Sequence, residues 1–126
     1  MRNGILTLEA FWELFRYDLL VWLGGFRLVL RSLAKPVPEG PPESDTQASD
    51  ICRSVDRAMC FYWKPVKCLQ RSVATACLMR RRRFAARVVV GCRPEPFCSH
   101  AWVEIDGRVV NDSPAYKLRL QTLFQF

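Results

Sequence analysis

The chain has 126 residues, the size of a single domain, which leaves no room for a second core of ordinary size. Hydrophobic residues make up 50% of it and charged residues 25%, a globular balance that excludes a disordered, collagen-like or low-complexity chain. The net charge is +7, from 19 lysines and arginines against 12 acidic residues, which suggests an acidic partner but does not name one.

The N-terminal segment is dense in large apolar side chains. Its longest uncharged run, Leu19–Phe26, has eight residues, whereas a membrane-spanning helix needs about 20. Apolar spacings of three and four predict a helix that ends or kinks at Gly24-Gly25, then a short helix from Phe26 to about Leu33. We expect residues 1–34 to pack on the core. The alternative is that residues 5–34 form a docking surface for a partner protein or a membrane surface.

The next segment, residues 35–46, holds half of the prolines and is typical of a linker. The pattern Ser44-x-x-Gln47 matches a capping box, which predicts a helix from about Asp45 to Tyr62. Residues 47–126 would then form the core of what is one domain overall.

A second core helix is predicted from about Val66 to Arg82, with Pro65 favouring its first turn. The basic run Arg80–Arg83 falls at its C-terminal end, where cations are favoured by the exposed carbonyls. We expect a solvated cap there, with binding of an acidic peptide as the alternative. Because no aromatic residues are interleaved with the run, we do not expect nucleic acid as a partner.

The last third changes to a β pattern. Arg87–Gly91 is typical of a buried strand, and the alternation in His100–Ile105 indicates a second one. Asp106-Gly107 favours a turn, after which Arg108–Asp112 would return as the other half of a hairpin. Helices followed by an antiparallel sheet indicate the α+β class.

Cysteine usage points to a reducing compartment. None of the six cysteines has C-x-x-C spacing and the chain has one histidine, so we expect neither a metal site nor a cofactor. The N-terminus lacks the uncharged stretch and cleavage site of a signal peptide. We therefore expect free thiols and a cytoplasmic location.

Cys68 is the candidate nucleophile. It lies in the first turn of a predicted helix, beside Lys64 and Lys67, where exposed N–H groups and cations both favour a thiolate. The same N–H groups can stabilise the oxyanion of an acyl-transfer reaction. Most of the other cysteines are expected to be inert small hydrophobic residues.

His100 and Asp112 are the candidate base and orienting carboxylate. The histidine begins one strand of the predicted hairpin and the aspartate lies on the other. A base held by a carboxylate is the arrangement of catalytic triads on many folds.

The turn decides whether these two side chains share a face of the hairpin. A two-residue turn at Asp106-Gly107 pairs Ile105 with Arg108 and puts the histidine and aspartate on opposite faces. A bulged three-residue loop pairs Glu104 with Arg108 and puts them directly opposite each other. The catalytic hypothesis therefore predicts the bulged loop, with Gly107 at positive φ.

The sequence resembles the leader peptidases of lasso-peptide biosynthesis over about residues 45–113. The resemblance lies in four stretches: Cys68–Ser72, Leu78–Arg83, Val88–Gly91 and Ser99–Gly107. The last of these, the hairpin strand with His-Ala-Trp-Val-Glu, is the most specific. The short length and N-terminal helices are similar to the stand-alone form of the family, which lacks a fused leader-recognition domain.

The resemblance implies a transglutaminase-like fold and a cysteine peptidase that separates leader from core in a ribosomal precursor peptide. Cys68 would be the nucleophile, His100 the general base and acid, and Asp112 the orienting carboxylate. The implied partners are the precursor, a separate leader-recognition protein and an ATP-dependent lasso cyclase. No glutamine precedes Cys68 as in papain-like enzymes, so the second oxyanion donor stays unassigned.

Two other functions stay open at this stage. The same triad could transfer the acyl group to an amine, as transglutaminases do. Alternatively the chain could be a non-enzymatic basic scaffold that uses its N-terminal aromatic helices to bind a partner or a membrane surface.

Overall fold

The fold is described from a computed structural model, which covers residues 2–36, 48–94 and 97–126, with side chains from Gly4 onward. Helices precede an antiparallel sheet, so the α+β prediction is confirmed. The elements in chain order are α1 Arg2–Gly24, α2 Phe26–Leu33, α3 Ala48–Phe61, α4 Cys68–Arg81, β1 Ala86–Arg93, β2 Cys98–Ile105, β3 Arg108–Val109, α5 Ala115–Arg119 and β4 Gln121–Gln125.

The two N-terminal helices form where the apolar spacing predicts them. Gly25 separates them with a φ of 73°, a conformation that a residue with a side chain rarely adopts. The buried stripe of α1 consists of Leu6, Ala10 and Leu14, which pack against α3 and α4. No described helix is both long enough and apolar enough to cross a membrane.

The largest aromatic side chains of α1 do not lie on its buried stripe. Trp12 is 47% exposed and Trp22 is 80% exposed, although both belong to the apolar spacing that predicts the helix. Packing on the core therefore uses the smaller aliphatic residues of α1, and part of its aromatic surface is left to solvent. The division into residues 1–34, 35–46 and 47–126 stays a prediction.

The helix α3 buries Ile51, Val55 and Ala58 on its inner face. The Ser44-x-x-Gln47 capping box lies outside the described residues. The helix α4 begins at Cys68, two residues later than predicted, because Lys67 has the extended backbone of an N-cap.

The prediction of a solvated cap at the C-terminal end of α4 agrees with the exposed Arg83 and is wrong for Arg80–Arg82. We call Arg80–Arg82 the arginine cluster, because each member bonds to another part of the chain. The partners are the Leu33 and Ala86 carbonyls for Arg80, the buried Glu13 for Arg81 and Glu9 for Arg82. The cluster ties the end of α4 to α1, α2 and β1.

The end of α4 closes with a Schellman arrangement. Phe84 N–H donates to the Met79 carbonyl and Arg83 N–H to the Arg80 carbonyl. Arg83 takes the positive φ, 68°, that glycine usually supplies at this position.

The sheet has the strand order β3-β2-β1-β4, and all of its neighbours are antiparallel. One face packs on the helices, while Val89, Trp102 and Leu120 form a smaller cluster on the other face. Gly91 is required beneath the indole of Trp102, because a Cβ there would lie 2.6 Å from the ring. Pairing of β4 with β1 closes the edge of the sheet opposite β3.

The hairpin turn differs from the predicted bulged loop. Ile105 pairs with Arg108, and the two-residue turn Asp106-Gly107 has positive φ at both positions, 52° and 79°. This is the type I′ geometry that an Asp-Gly pair favours. The predicted pairing of Glu104 with Arg108 is therefore wrong, whereas the positive φ of Gly107 is confirmed.

Candidate active site

Cys68 is the first residue of α4, and its side chain is partly exposed. Lys67 precedes it as the N-cap and makes no side-chain capping bond, so that side chain does not satisfy the N–H groups of the first helical turn. Burial, and after it the charges of Asp18 and of a Cys68 thiolate, raises the pKa of Tyr17. A Cys68 thiolate would thus be close enough to Tyr17 of α1 to act on the pKa of its phenol.

Lys64 is engaged by Asp18 rather than being free to face the cysteine. Its Nζ lies 2.7 Å from one carboxylate oxygen of Asp18, and the other oxygen accepts bonds from the Tyr62 hydroxyl and from Gln70 Nε2, at 3.0 Å for Gln70. Burial alone would raise the pKa of Asp18, but these donors outweigh it and lower that pKa below its ordinary value. We call these four residues the Asp18 cluster; it holds the chain on both sides of Cys68.

His100 and Asp112 are in direct contact. His100 Nε2 lies 2.6 Å from Asp112 Oδ2, and both side chains are 19% exposed. Since an ionised carboxylate only accepts hydrogen bonds, Nε2 carries the proton in this contact and Nδ1 is the other ring nitrogen.

The observed register of the hairpin, continued to Asp112, would put Asp112 and His100 on opposite faces of the sheet. Their contact forms nevertheless, because β3 ends before it reaches Asp112. Val110 N–H still bonds to the Val103 carbonyl, but the next donor on β2, Val103 N–H, is taken by the side chain of Asn111 at 2.7 Å. Beyond that point the chain leaves the ladder, so the alternation of faces no longer governs where Asp112 points.

Two aromatic rings fix the plane of the imidazole. His100 stacks on Tyr116 of α5 with ring centroids 4.0 Å apart, and on Trp102 with centroids 6.4 Å apart. The indole N–H of Trp102 bonds to Glu104, whose carboxylate also accepts from Lys117 at 3.2 Å. Our sequence reasoning missed Tyr116, because nothing in the sequence placed this five-residue helix over the sheet.

Two neighbouring residues of α4 reach the loop that carries Asp112. Asn111 Nδ2 lies 3.5 Å from the hydroxyl of Ser72, and Arg71 Nη1 lies 3.7 Å from Asp112 Oδ2. Arg71 and Ser72 are three and four residues after Cys68, which is one helical turn. The sequence did not lead us to predict Arg71 as a site residue, although its position one helical turn after Cys68 is a signal that could have identified it.

The structure thus brings His100 and Asp112 together. Among the described residues, no hydrogen bond joins the Cys68 sulfur to either of them. Two of the remaining thiols are poor nucleophiles at neutral pH: burial raises the pKa of Cys52 to about 11 and also raises that of Cys77.

A nucleophile candidate at a helix N-terminus, a histidine on the second strand and an aspartate after it are all placed on one α+β core. Residues 11–125, nearly the whole chain, match the family model of the transglutaminase-like superfamily. The chain belongs to this superfamily. The fold expected from the sequence resemblance is therefore confirmed.

A curated relative carries the resemblance further. The chain is 39% identical over 56 residues to the microcin J25-processing protein McjB of Escherichia coli. That stretch covers 44% of this chain but 27% of the relative's length. The resemblance to this kind of processing protein is thus confirmed for part of the chain. No solved structure matches the chain.

Proposed function

We propose that the chain is a cysteine peptidase that removes the leader from a ribosomally made lasso-peptide precursor, with Cys68 as nucleophile, His100 as base and acid, and Asp112 as the orienting carboxylate. The observation that carries the proposal is the 2.6 Å contact between His100 and Asp112. It is supported by membership of the transglutaminase-like superfamily and by the similarity to a microcin-processing protein.

The contact assigns a role to each imidazole nitrogen. Nε2 donates to Asp112, so Nδ1 is the nitrogen that takes the proton of the Cys68 thiol. The carboxylate then stabilises the imidazolium that forms. Stacking on Tyr116 and Trp102 limits rotation of the ring, which keeps the two nitrogens from exchanging places.

The reaction runs in two steps. In the first, the Cys68 thiolate attacks the carbonyl carbon at the leader–core junction, and the first-turn N–H groups of α4 stabilise the oxyanion. His100 returns its proton to the departing core amine, which leaves the leader as a thioester on Cys68. In the second, His100 takes a proton from water, the hydroxide cleaves the thioester, and the leader departs as a carboxylate while the proton returns to sulfur.

The exposed aromatic residues near Cys68 suit the docking of a separate leader-recognition protein. We call Trp12, Phe15 and Trp63 the aromatic surface; successive ring centroids lie 6.0 and 5.9 Å apart, and Trp63 is 62% exposed. Trp63 stacks on Tyr62 of the Asp18 cluster at 4.2 Å. A protein bound there would contact the segment that leads directly into the nucleophile.

The test is cleavage of a lasso-peptide precursor, followed by mass spectrometry, with and without a leader-recognition protein. We expect free leader and free core in the presence of the recognition protein, and much slower cleavage in its absence. Replacing Trp63 by Ala should reduce the stimulation and leave the unstimulated rate unchanged. Absence of any cleavage in the complete mixture would refute the peptidase proposal.

The same assay separates hydrolysis from the transferase alternative. With an added primary amine, a transglutaminase-like acyl transferase would release a leader–amine adduct, whereas a peptidase releases the leader acid. Unchanged processing by a Cys68→Ala protein would instead support the non-enzymatic scaffold.

A further inference from the structure

Arg71 joins the helix that carries Cys68 to the pair formed by His100 and Asp112. Its Nη1 lies 3.7 Å from Asp112 Oδ2, while Nε and Nη2 each lie 3.1 Å from Asp56 Oδ1 on α3. The guanidinium is therefore anchored on one carboxylate and faces a second one. Its side chain is 24% exposed, which places it at the rim of the core.

Asp112 needs such a support, because the sheet does not hold it. The described strand β3 ends at Val109, three residues earlier. One carboxylate oxygen of Asp112 accepts the N–H of Ser113 at 2.8 Å, and the other bonds to His100. The first of these contacts lies within the same loop, so among the described residues Arg71 is the cation that fixes the carboxylate relative to the rest of the fold.

We propose that Arg71 is a positioning residue of this active site, which holds the Asp112 carboxylate against His100 by an ion pair anchored on Asp56. The inference rests on the proposed function, since it gives Arg71 a role in the reaction only if His100 and Asp112 perform it. Arg71 does not touch the reacting atoms and acts through Asp112.

The distances from Arg71 to the two aspartates suit a role in positioning the Asp112 carboxylate better than a role in neutralising its charge. A contact of 3.7 Å is longer than a hydrogen bond, so Arg71 attracts Asp112 Oδ2 without displacing the imidazole from it. A short bidentate bond would compete for the same oxygen. Asp56 takes the shorter contacts, which fixes the direction of the guanidinium and leaves one edge of it facing Asp112.

The geometry also couples the two halves of the site. Arg71 and Cys68 are one helical turn apart, so a shift of α4 moves the nucleophile and the support of Asp112 together. The contact of Ser72 with Asn111 likewise joins α4 to the loop that carries Asp112. A displacement of about 1 Å in such a site can reduce the rate by about a hundredfold.

A double-mutant cycle tests the inference. We expect Arg71→Met to lower kcat by roughly ten- to a hundredfold with little change in KM, because the carboxylate is misplaced rather than substrate binding lost. In an Asp112→Asn background the same change should have almost no further effect. Equal effects of Arg71→Met in both backgrounds would overturn the proposal.

A second readout needs no substrate and no cysteine chemistry. His100 is the only histidine, so the ¹⁵N spectrum of its neutral imidazole at alkaline pH gives the tautomer directly. We expect mainly the Nε2–H tautomer in the unaltered protein and a mixture in Arg71→Met. In the Asp112→Asn background, Arg71→Met should leave the spectrum unchanged. An unaltered tautomer in Arg71→Met alone would contradict the inference.

Two further variants serve as comparison and control. Asp56→Asn releases the anchor of Arg71 without touching the imidazole contact, and should change kcat and tautomer in the same direction by a smaller factor. Arg53→Met removes an arginine of α3 whose side chain is 66% exposed, and should change neither. If the unaltered protein cleaves no precursor while Arg71→Met shifts the tautomer only when Asp112 is present, the peptidase proposal fails and the coupling of Arg71 to the pair stands.

Discussion

The two ends of α4 are built in opposite ways. At the C-terminal end the helix closes with a Schellman arrangement, and the arginine cluster bonds to α1, α2 and the start of β1. At the N-terminal end the N-cap residue Lys67 offers no capping side chain, and the first residue is Cys68. One helix of about 20 Å thus has a closed end, where a Schellman arrangement caps the backbone, and an open end, where the N-cap side chain does not cap the first turn.

The difference between the two ends of α4 separates residues that stabilise the fold from residues that serve the proposed reaction. At the closed end the last carbonyls of α4 accept the Schellman bonds, arginines lie where the helix dipole favours cations, and Glu13 is buried because two arginines pair with it. At the open end the N–H groups of the first turn, which the Lys67 side chain does not cap, favour negative charge, which suits a thiolate and an oxyanion. Substitution of Cys68 at the open end should therefore affect the rate, and substitution of an arginine of the cluster at the closed end should affect the free energy of unfolding.

The largest effect is expected at the open end. Cys68→Ala should lower the cleavage rate by more than about a thousandfold with the fold intact, because the nucleophile is lost. Cys60→Ala, at an exposed position of α3, is the matched control and should cleave at nearly the normal rate. The rates come from mass spectrometry of released leader. If Cys68→Ala cleaves normally, or another cysteine of a folded protein is equally indispensable, the assignment is wrong.

Asp112→Asn should lower the rate by about a hundredfold or more, because the neutral amide does not stabilise the imidazolium. The fold should persist, since Asp112 lies beyond the end of β3. Asp106→Asn is the control: it removes one carboxylate from the exposed turn and keeps a residue that tolerates positive φ. Equal rates for the two variants would remove Asp112 from the proposed triad.

The hairpin shows how far sequence reasoning reaches at this site. The places of His100 and Asp112 on the two strands of the predicted hairpin selected the pair that the structure brings into contact. The predicted register was wrong, because it required β3 to continue as far as Asp112, whereas the strand ends at Val109. Local sequence correctly favoured the two-residue Asp-Gly turn, and the end of the strand is decided by the Asn111 side chain, whose bond to Val103 N–H no local pattern predicts.

Long-range contacts account for the other differences. The helices and their inner faces follow from periodicity, which is a local property. The arginine cluster was expected in solvent because its acidic partners, Glu9 and Glu13, lie about 70 positions earlier in the chain. The strand β4 was not predicted, and it forms by pairing with β1, 29 to 36 positions before it.

A smaller effect, on stability rather than rate, is expected at the closed end. Arg81→Met leaves Glu13, whose side chain is 1% exposed, with Arg16 as its one charged partner in the part of the chain that the structure describes. Because Arg81 is itself half exposed, we expect a loss of about 1–2 kcal/mol, seen as a lower urea midpoint at unchanged slope. Arg53→Met, which breaks a surface pair, should cost less than about 0.5 kcal/mol. A large fall in kcat at a temperature where Arg81→Met is fully folded would contradict the separation of the two ends.

The smallest effect concerns the Asp18 cluster, where the open end meets α1. The pKa of Asp18 is lowered in the folded protein, so its contribution to stability is present above the ordinary aspartate pKa and is lost as the pH falls through the lower folded value. Asp18→Asn should therefore be less stable than the unaltered protein at neutral pH, and the difference should shrink as the solution is acidified. Urea midpoints of both proteins between neutral and strongly acidic pH measure it, with Asp106→Asn as the matched loss of one carboxylate. A difference that stays constant or grows toward acid would show that the Lys64, Tyr62 and Gln70 donors do not favour the charged form of Asp18, and that the segment before Cys68 is held by something other than this carboxylate.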